Sequence, residues 1–171
     1  MVPRIHRWRT FCITASGILL SAGLFLVLSG RMGPGDADVA LDADKVEAAT
    51  LLVAWIAQAQ PIPGFDEPYP DAQRMAGRRF LVACDCVPRK VALSADPRVT
   101  RVPEKEWKRV LHERGFDGTV LLLIKPSPAA DGKLAFELTN LFGALGGHMY
   151  RFEFERKDGA LRATGELGGT F

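Results

Sequence analysis

Residues 133–167 carry the feature that most restricts the fold. Apolar and polar side chains alternate with period two through 133–141, 148–156 and 160–167, the pattern of strands with one buried and one wet face. Asp158-Gly159, between the last two segments, is a strong two-residue hairpin turn. Pairing position 138 with 150 and 154 with 163 puts Leu134, Phe136, Leu138 and Asn140 on one face with His148, Tyr150, Phe152 and Phe154. Leu161, Ala163, Gly165 and Leu167 join that face. The opposite face pairs Glu137 with Arg151, Arg151 with Glu166, and Glu155 with Arg162. A register that satisfies both faces is well specified. It predicts a three-stranded antiparallel meander whose apolar side needs a cover.

Residues 48–57 (AATLLVAWIA) supply one. They are apolar except for Thr50, and a helix apolar almost all round belongs in the interior. Asp44 and Glu47 have the spacing of a capping box before it, and Pro61 stops it after about Gln60. Residues 61–77 hold four prolines and two glycines and read as a stiff loop over that helix. Strands are expected at 79–84 and 88–93, with a further short strand at 99–102. Pro103 opens a surface helix that Gly115 ends, with a narrow stripe of Trp107, Val110 and Leu111. His112 falls off that stripe and is expected to be exposed. Residues 120–124 (VLLLI) do not alternate, which predicts an interior strand covered on both faces.

The expected fold class is therefore α+β: a curved antiparallel sheet, with the C-terminal three-strand meander, packed on one or two helices. This outline resembles the cystatin-like and nuclear-transport-factor-like group of small α+β domains in architecture alone. No motif carries the likeness, so it implies a fold and no function.

The first thirty residues read as something other than fold. Arg4, Arg7 and Arg9 come with no acid, and residues 11–28 run without a charge. A basic start before an apolar stretch is a signal peptide or a signal-anchor transmembrane helix. As a helix the stretch spans about 27 Å, close to the hydrocarbon thickness of a bilayer. Val27 and Ser29 are small enough for cleavage after Ser29, so both fates stay open. Cys12 sits at the start of the run, unlike a lipoprotein acylation cysteine. The domain reading is signal or anchor at 1–30, linker at 31–41, and an exported α+β domain at 42–171. That domain lies outside the cytoplasm, periplasmic or secreted if released and single-pass if anchored.

Without residues 1–30 the chain has 19 basic and 20 acidic side chains. The basic balance of the whole belongs largely to the signal, and charge gives no case for nucleic acid. Charge is nevertheless segregated: residues 31–73 hold two bases and eight acids, residues 74–109 ten bases and four acids. Such blocks either face each other or offer a basic face to an anionic envelope component.

Three groups are candidates for chemistry. Asn140 and His148 face each other at an open end of the inner face, with Tyr150 two residues further in. This set can serve a general base or a polar ligand, though no acid is expected beside His148. Cys84-Asp85-Cys86 places two thiols together, either as a strained, reducible bond or as the start of a soft-metal site to which His148 is the one evident addition. Asp66, Glu67 and Asp71 group acids in the proline-rich loop without calcium-loop spacing. Gly143–Gly147 lacks the Lys-Ser/Thr ending of a phosphate loop, and Gly168-Gly169 is expected to fray. No cofactor is expected. The leading expectation is a non-catalytic ligand- or protein-binding envelope module, held to the membrane through residues 11–28 if these are retained. Its partner would be an envelope protein or a small molecule. The alternatives are a hydrolase-type enzyme using His148, or a thiol metal or redox protein using Cys84 and Cys86.

Overall fold

The computed structural model describes residues 34–129, 133–143 and 146–170. The expected signal or anchor at 1–30 lies outside the described residues. The described chain is an α+β fold built on one mixed six-stranded sheet. Helix α1 (Pro34–Ala57) and the four-residue α2 (Ala72–Met75) precede strand β1 (Arg79–Ala83). Strand β2 (Val99–Val102), a 3-10 turn (Glu104–Glu106) and α3 (Trp107–Arg114) follow. The chain ends in β3 (Thr119–Ser127), β4 (Leu134–Gly143), β5 (Gly146–Lys157) and β6 (Ala160–Thr170). Strand order is β2-β1-β3-β4-β5-β6.

The meander β4-β5-β6 has the register read from the alternation: Leu138 pairs Tyr150, Phe154 pairs Ala163, and Glu155 pairs Arg162. Its turn is the expected one, with Asp158 and Gly159 both at positive φ, 53° and 77°, as a type I′ turn requires. Past a bulge at Met149/Tyr150, β6 continues through Gly168 and Gly169 to pair Thr170 with His148. The expected frayed tail is therefore strand, because β5 is long enough to hold it.

The sheet is not wholly antiparallel. β1 pairs in parallel with both β2 and β3. Parallel neighbours need crossovers, here the irregular segment 84–98 and α3. Residues 88–93, expected as a strand, form no ladder. Val87 and Leu93 are buried there, but the nearby carbonyls are taken by a side chain. The Arg101 guanidinium donates to the carbonyls of Cys84, Val87, Pro88 and Val91 at 2.5–3.0 Å.

α1 lies on the inner face as the buried helix, with Ala48, Leu52, Val53, Trp55 and Ile56 at 0–1% exposure. It begins at Pro34, so residues 34–41 are helical and Asp44 and Glu47 are interior residues instead of a capping box. Both acids receive Arg156 from the end of β5. The proline-rich loop closes over α1 with Ile62, Tyr69 and Met75 buried. It is pinned to β6, where the Ala163 amide donates to the Pro63 carbonyl at 2.7 Å. Gly64 permits that approach, since a Cβ there would stand 2.9 Å from the Ala163 carbonyl oxygen.

β3 is covered on both faces, as its unalternating run predicts. Val120, Leu122 and Ile124 join the α1 core, while Leu121 packs with Leu81 and Leu111 on the outer face. That outer face carries α3, whose Trp107, Val110 and Leu111 form the expected stripe. His112 is exposed. Among the described residues no helix is long and apolar enough to cross a membrane.

Candidate functional site

Asn140 and His148 face each other across β4 and β5. The end of the inner face that they occupy is not open, because the loop lays Tyr69 and Asp71 over it. Asn140 is fully buried. Its Nδ2 donates to Tyr69 Oη, and its Oδ1 accepts the His148 backbone N–H at 2.6 Å. A single side chain thus ties the start of β5 to the loop, and a buried amide needs partners of this kind.

His148 Nδ1 lies 3.2 Å from Asp71 Oδ2, both side chains being 14% exposed. The two atoms are within ion-pair distance but poorly aligned for a hydrogen bond, and each is buried without another partner. Tyr150 Oη is buried and unpartnered as well. The other Asp71 oxygen accepts from Arg74 at 3.2 Å, and the Arg74 guanidinium lies 5.0 Å over the Phe142 ring. An acid therefore does stand beside His148, contrary to expectation. It comes from the loop that the sequence offers only as a cover.

Trp55 of α1 forms the floor. It meets Tyr150 edge-on at 5.0 Å and Tyr69 at 5.2 Å between ring centroids, and its Nε1 donates to the Glu67 carbonyl at 2.9 Å. Burial pushes the Tyr150 hydroxyl up to about 12, with Asp71 and Glu67 adding to the effect. Burial raises Tyr69 further. Tyr150 and Asp71 add to that rise, while the Asn140 hydrogen bond and Arg74 oppose it. Both phenols are held neutral.

The Asp71–His148 pair has the parts of a general base with an orienting acid. Among the described residues, however, no serine, threonine or cysteine side chain is hydrogen-bonded to His148. Trp55, Tyr69 and Phe152 are buried in the inner concavity, and Asn140 has no exposure to solvent. Sequence reasoning missed Tyr69. The signal was present: a loop long enough to cover Asn140 and His148 has to bring polar atoms to them.

Cys84 follows directly after β1 and Cys86 lies in the next turn, so the two do not share a strand. Their sulfurs nevertheless converge to 3.0 Å as free thiols, Cys84 buried and Cys86 half-buried. The contact with Cys86, reinforced by burial, raises the Cys84 thiol far above its ordinary range. The same contact holds Cys86 below its own, aided by the fields of Arg101 and Lys45. His148 does not join them: among the described residues no three His, Cys, Asp or Glu side chains are grouped to hold a metal ion. The loop acids do not converge either. Asp66 is exposed, Glu67 serves through its carbonyl, and Asp71 turns to His148 and Arg74.

The basic block is partly spent within the fold. Arg98 pairs with Asp96 and donates to the Ala57 carbonyl at 2.8 Å, Arg101 holds four carbonyls, and Arg109 bridges Glu106 and Glu113. On the outer face a groove of about 500 Å³ opens between α3 and β4. Trp107, Leu111, Phe116 and Leu141 line it, with Lys108 and His112 at its rim.

Comparison with protein-family models, with curated proteins and with solved structures gave no match. The site is therefore read from its own chemistry.

Proposed function

We propose that this chain is a binding module of the cell envelope, and that the groove between α3 and β4 is its contact surface and does no catalysis. One observation carries the reading. An eight-residue helix covers the outer face of β1 and β3, and it leaves Trp107, Phe116 and Leu141 only half-buried around a recess of about 500 Å³. Aromatic and aliphatic walls with a few polar groups at the rim suit an apolar side chain from a partner. Asn140 supports the reading from the other side, because both hydrogen bonds of its side chain fasten the start of β5 to the loop.

Placement at the envelope rests on the basic start and the uncharged run at 11–28, which would leave the module tethered if retained. The near-neutral charge of the remaining chain favours protein or small-molecule partners over nucleic acid.

A photocrosslinking residue at position 112 of the full chain, in its own host, tests the reading. A discrete adduct at 112 that Trp107→Ala abolishes is the expected result, with a crosslinker at position 157 as the control. Adducts of small mass would identify a small ligand in place of a protein. Equal, diffuse labelling at both positions would overturn the groove as the contact surface.

A second reading, a hydrolase using His148, is favoured by Asp71 standing beside it. That reading requires ester or peptide turnover by the full chain that His148→Ala and Asp71→Asn both abolish at unchanged melting temperature. Turnover that survives either substitution removes it.

A further inference from the structure

The thiol pair is used neither by the groove nor by the polar set. Its two sulfurs converge to 3.0 Å across a single intervening residue. A bond at that spacing would close too short a loop to restrain the unfolded chain appreciably, so stability is a poor reason for the pairing. The two cysteines also differ in access. Cys84 is sealed in the core beneath α1, whereas Cys86 is half-buried at the surface. The turn that carries them is held by other means, through the Arg101 fork on the carbonyls of Cys84, Val87, Pro88 and Val91. The positive charges of Arg101 and Lys45 bear on Cys86. A partly exposed cysteine in an electropositive setting is the reactive kind.

We propose that Cys84 and Cys86 form a thiol–disulfide exchange centre, with Cys86 as the attacking thiol and Cys84 as the resolving one, acting on external disulfides. The Cys86 thiolate attacks one sulfur of the external disulfide. A Cys86–sulfur bond forms as the external bond breaks, and the first leaving thiolate takes up the proton that Cys86 released. Cys84 then attacks Cys86 Sγ, giving its proton to the second thiolate as that thiolate departs. The chain's two thiols are oxidised to one bond, and one external disulfide is reduced to two thiols. The reverse sequence reduces the chain. A bond closing so small a ring is easily reduced, which suits exchange in both directions.

The test equilibrates the full chain with glutathione buffers of graded oxidised-to-reduced ratio, quenches with acid, alkylates and maps the tryptic peptides. The peptide 80–89 carries both cysteines and separates them from Cys12. The expected result is a single reversible two-electron transition of that peptide within the glutathione range, with no accumulating glutathione adduct. Cys84→Ser should trap glutathione on Cys86. Cys86→Ser should slow modification of the remaining thiol about tenfold or more relative to Cys84→Ser, because Cys84 is sealed in the core. The titration of the parent chain decides the matter even if a variant fails to fold. A dithiol that survives oxidised glutathione would overturn the proposal, as would a bond that excess reduced glutathione leaves intact. Faster reaction at Cys84 than at Cys86 would overturn the assigned roles.

Discussion

Tyr69 and Tyr150 are the only two tyrosines of the chain, and they are buried side by side with ring centroids 6.2 Å apart. One comes from the proline-rich loop and the other from β5, with Trp55 against both. Their exposures are 2% and 3%. Tyrosine ionisation in this protein therefore reports on the junction between loop and sheet and on nothing else.

The first prediction follows from that. Unfolded, both phenols ionise near pH 10. Folded, Tyr150 ionises at about 12 and Tyr69 higher still. Because the folded values are raised, the associated stability is complete below about pH 10 and is lost as the pH climbs through the folded values. The slope is up to about 1.4 kcal/mol per pH unit for each phenol. Tyrosinate absorbance should stay flat through pH 10 in the native protein and rise only with unfolding or at higher pH. Tyr150→Phe should roughly halve the alkaline slope of denaturant melts. An ordinary titration near pH 10 by the native chain would contradict the buried junction.

Asn140 is the hinge of the same junction. Asn140→Ala leaves Tyr69 Oη and the His148 amide without their partner in a dry place, at about 1–3 kcal/mol per stranded group. Tyr69→Phe removes a single hydroxyl and should cost less. Urea unfolding of the two variants gives the order. Equal stability of Asn140→Ala and the parent would show that the bridge contributes nothing.

Much of this architecture is legible in the sequence where the pattern is local. The register of β4-β5-β6 follows from period-two alternation because Glu137, Arg151 and Glu166 carry as much information on the wet face as Phe136 and Phe152 do on the dry one. The two-sided burial of β3 follows from its unbroken apolar run. What escapes is non-local. Parallel pairing of β1 with β2 and β3 leaves only the unbroken apolar runs at 80–84 and 120–124, which mark burial on both faces but not strand direction, since direction depends on how segment 84–98 and α3 cross over. Val91 and Leu93 alternate as a strand would, yet the carbonyls of Val87, Pro88 and Val91 are taken by Arg101 from β2, and no propensity announces that. Asp71 reaches His148 by chain folding alone, so the acid could be read as a loop residue and not as a partner.

Gly165 shows how closely the meander is packed. A Cβ there would stand 2.5 Å from the Phe152 ring, whereas one at Gly169 would meet nothing within 4 Å. Gly165→Ala should therefore destabilise by about 1–3 kcal/mol through overpacking. Gly169→Ala should stay close to the parent. Phe152→Leu in the Gly165→Ala background should return part of the loss, as expected of a direct contact. A neutral Gly165→Ala in thermal melts would mean that the ring moves aside without cost.

Arg101 and Arg109 test what the basic block is for. Both carry a positive charge, and both make short contacts. Arg109 contacts Glu106 and Glu113 on the solvent side of α3, where its side chain is 60% exposed; pairs of that kind contribute little. Arg101 instead supplies the hydrogen bonds that segment 84–91 lacks because it joins no sheet. Its planar fork reaches four carbonyls at once, which a lysine ammonium cannot do. Arg109→Ala should leave stability close to that of the parent, since both its ion pairs are screened by solvent. Arg101→Lys should cost about 2 kcal/mol or more despite the conserved charge. Amide exchange should locate that loss in segment 84–91 ahead of the rest of the sheet, because the carbonyls freed there have no ladder to rejoin. If Arg101→Lys and Arg109→Ala prove equally mild, the block acts through charge alone, and the hydrogen bonds of the loop must come from water.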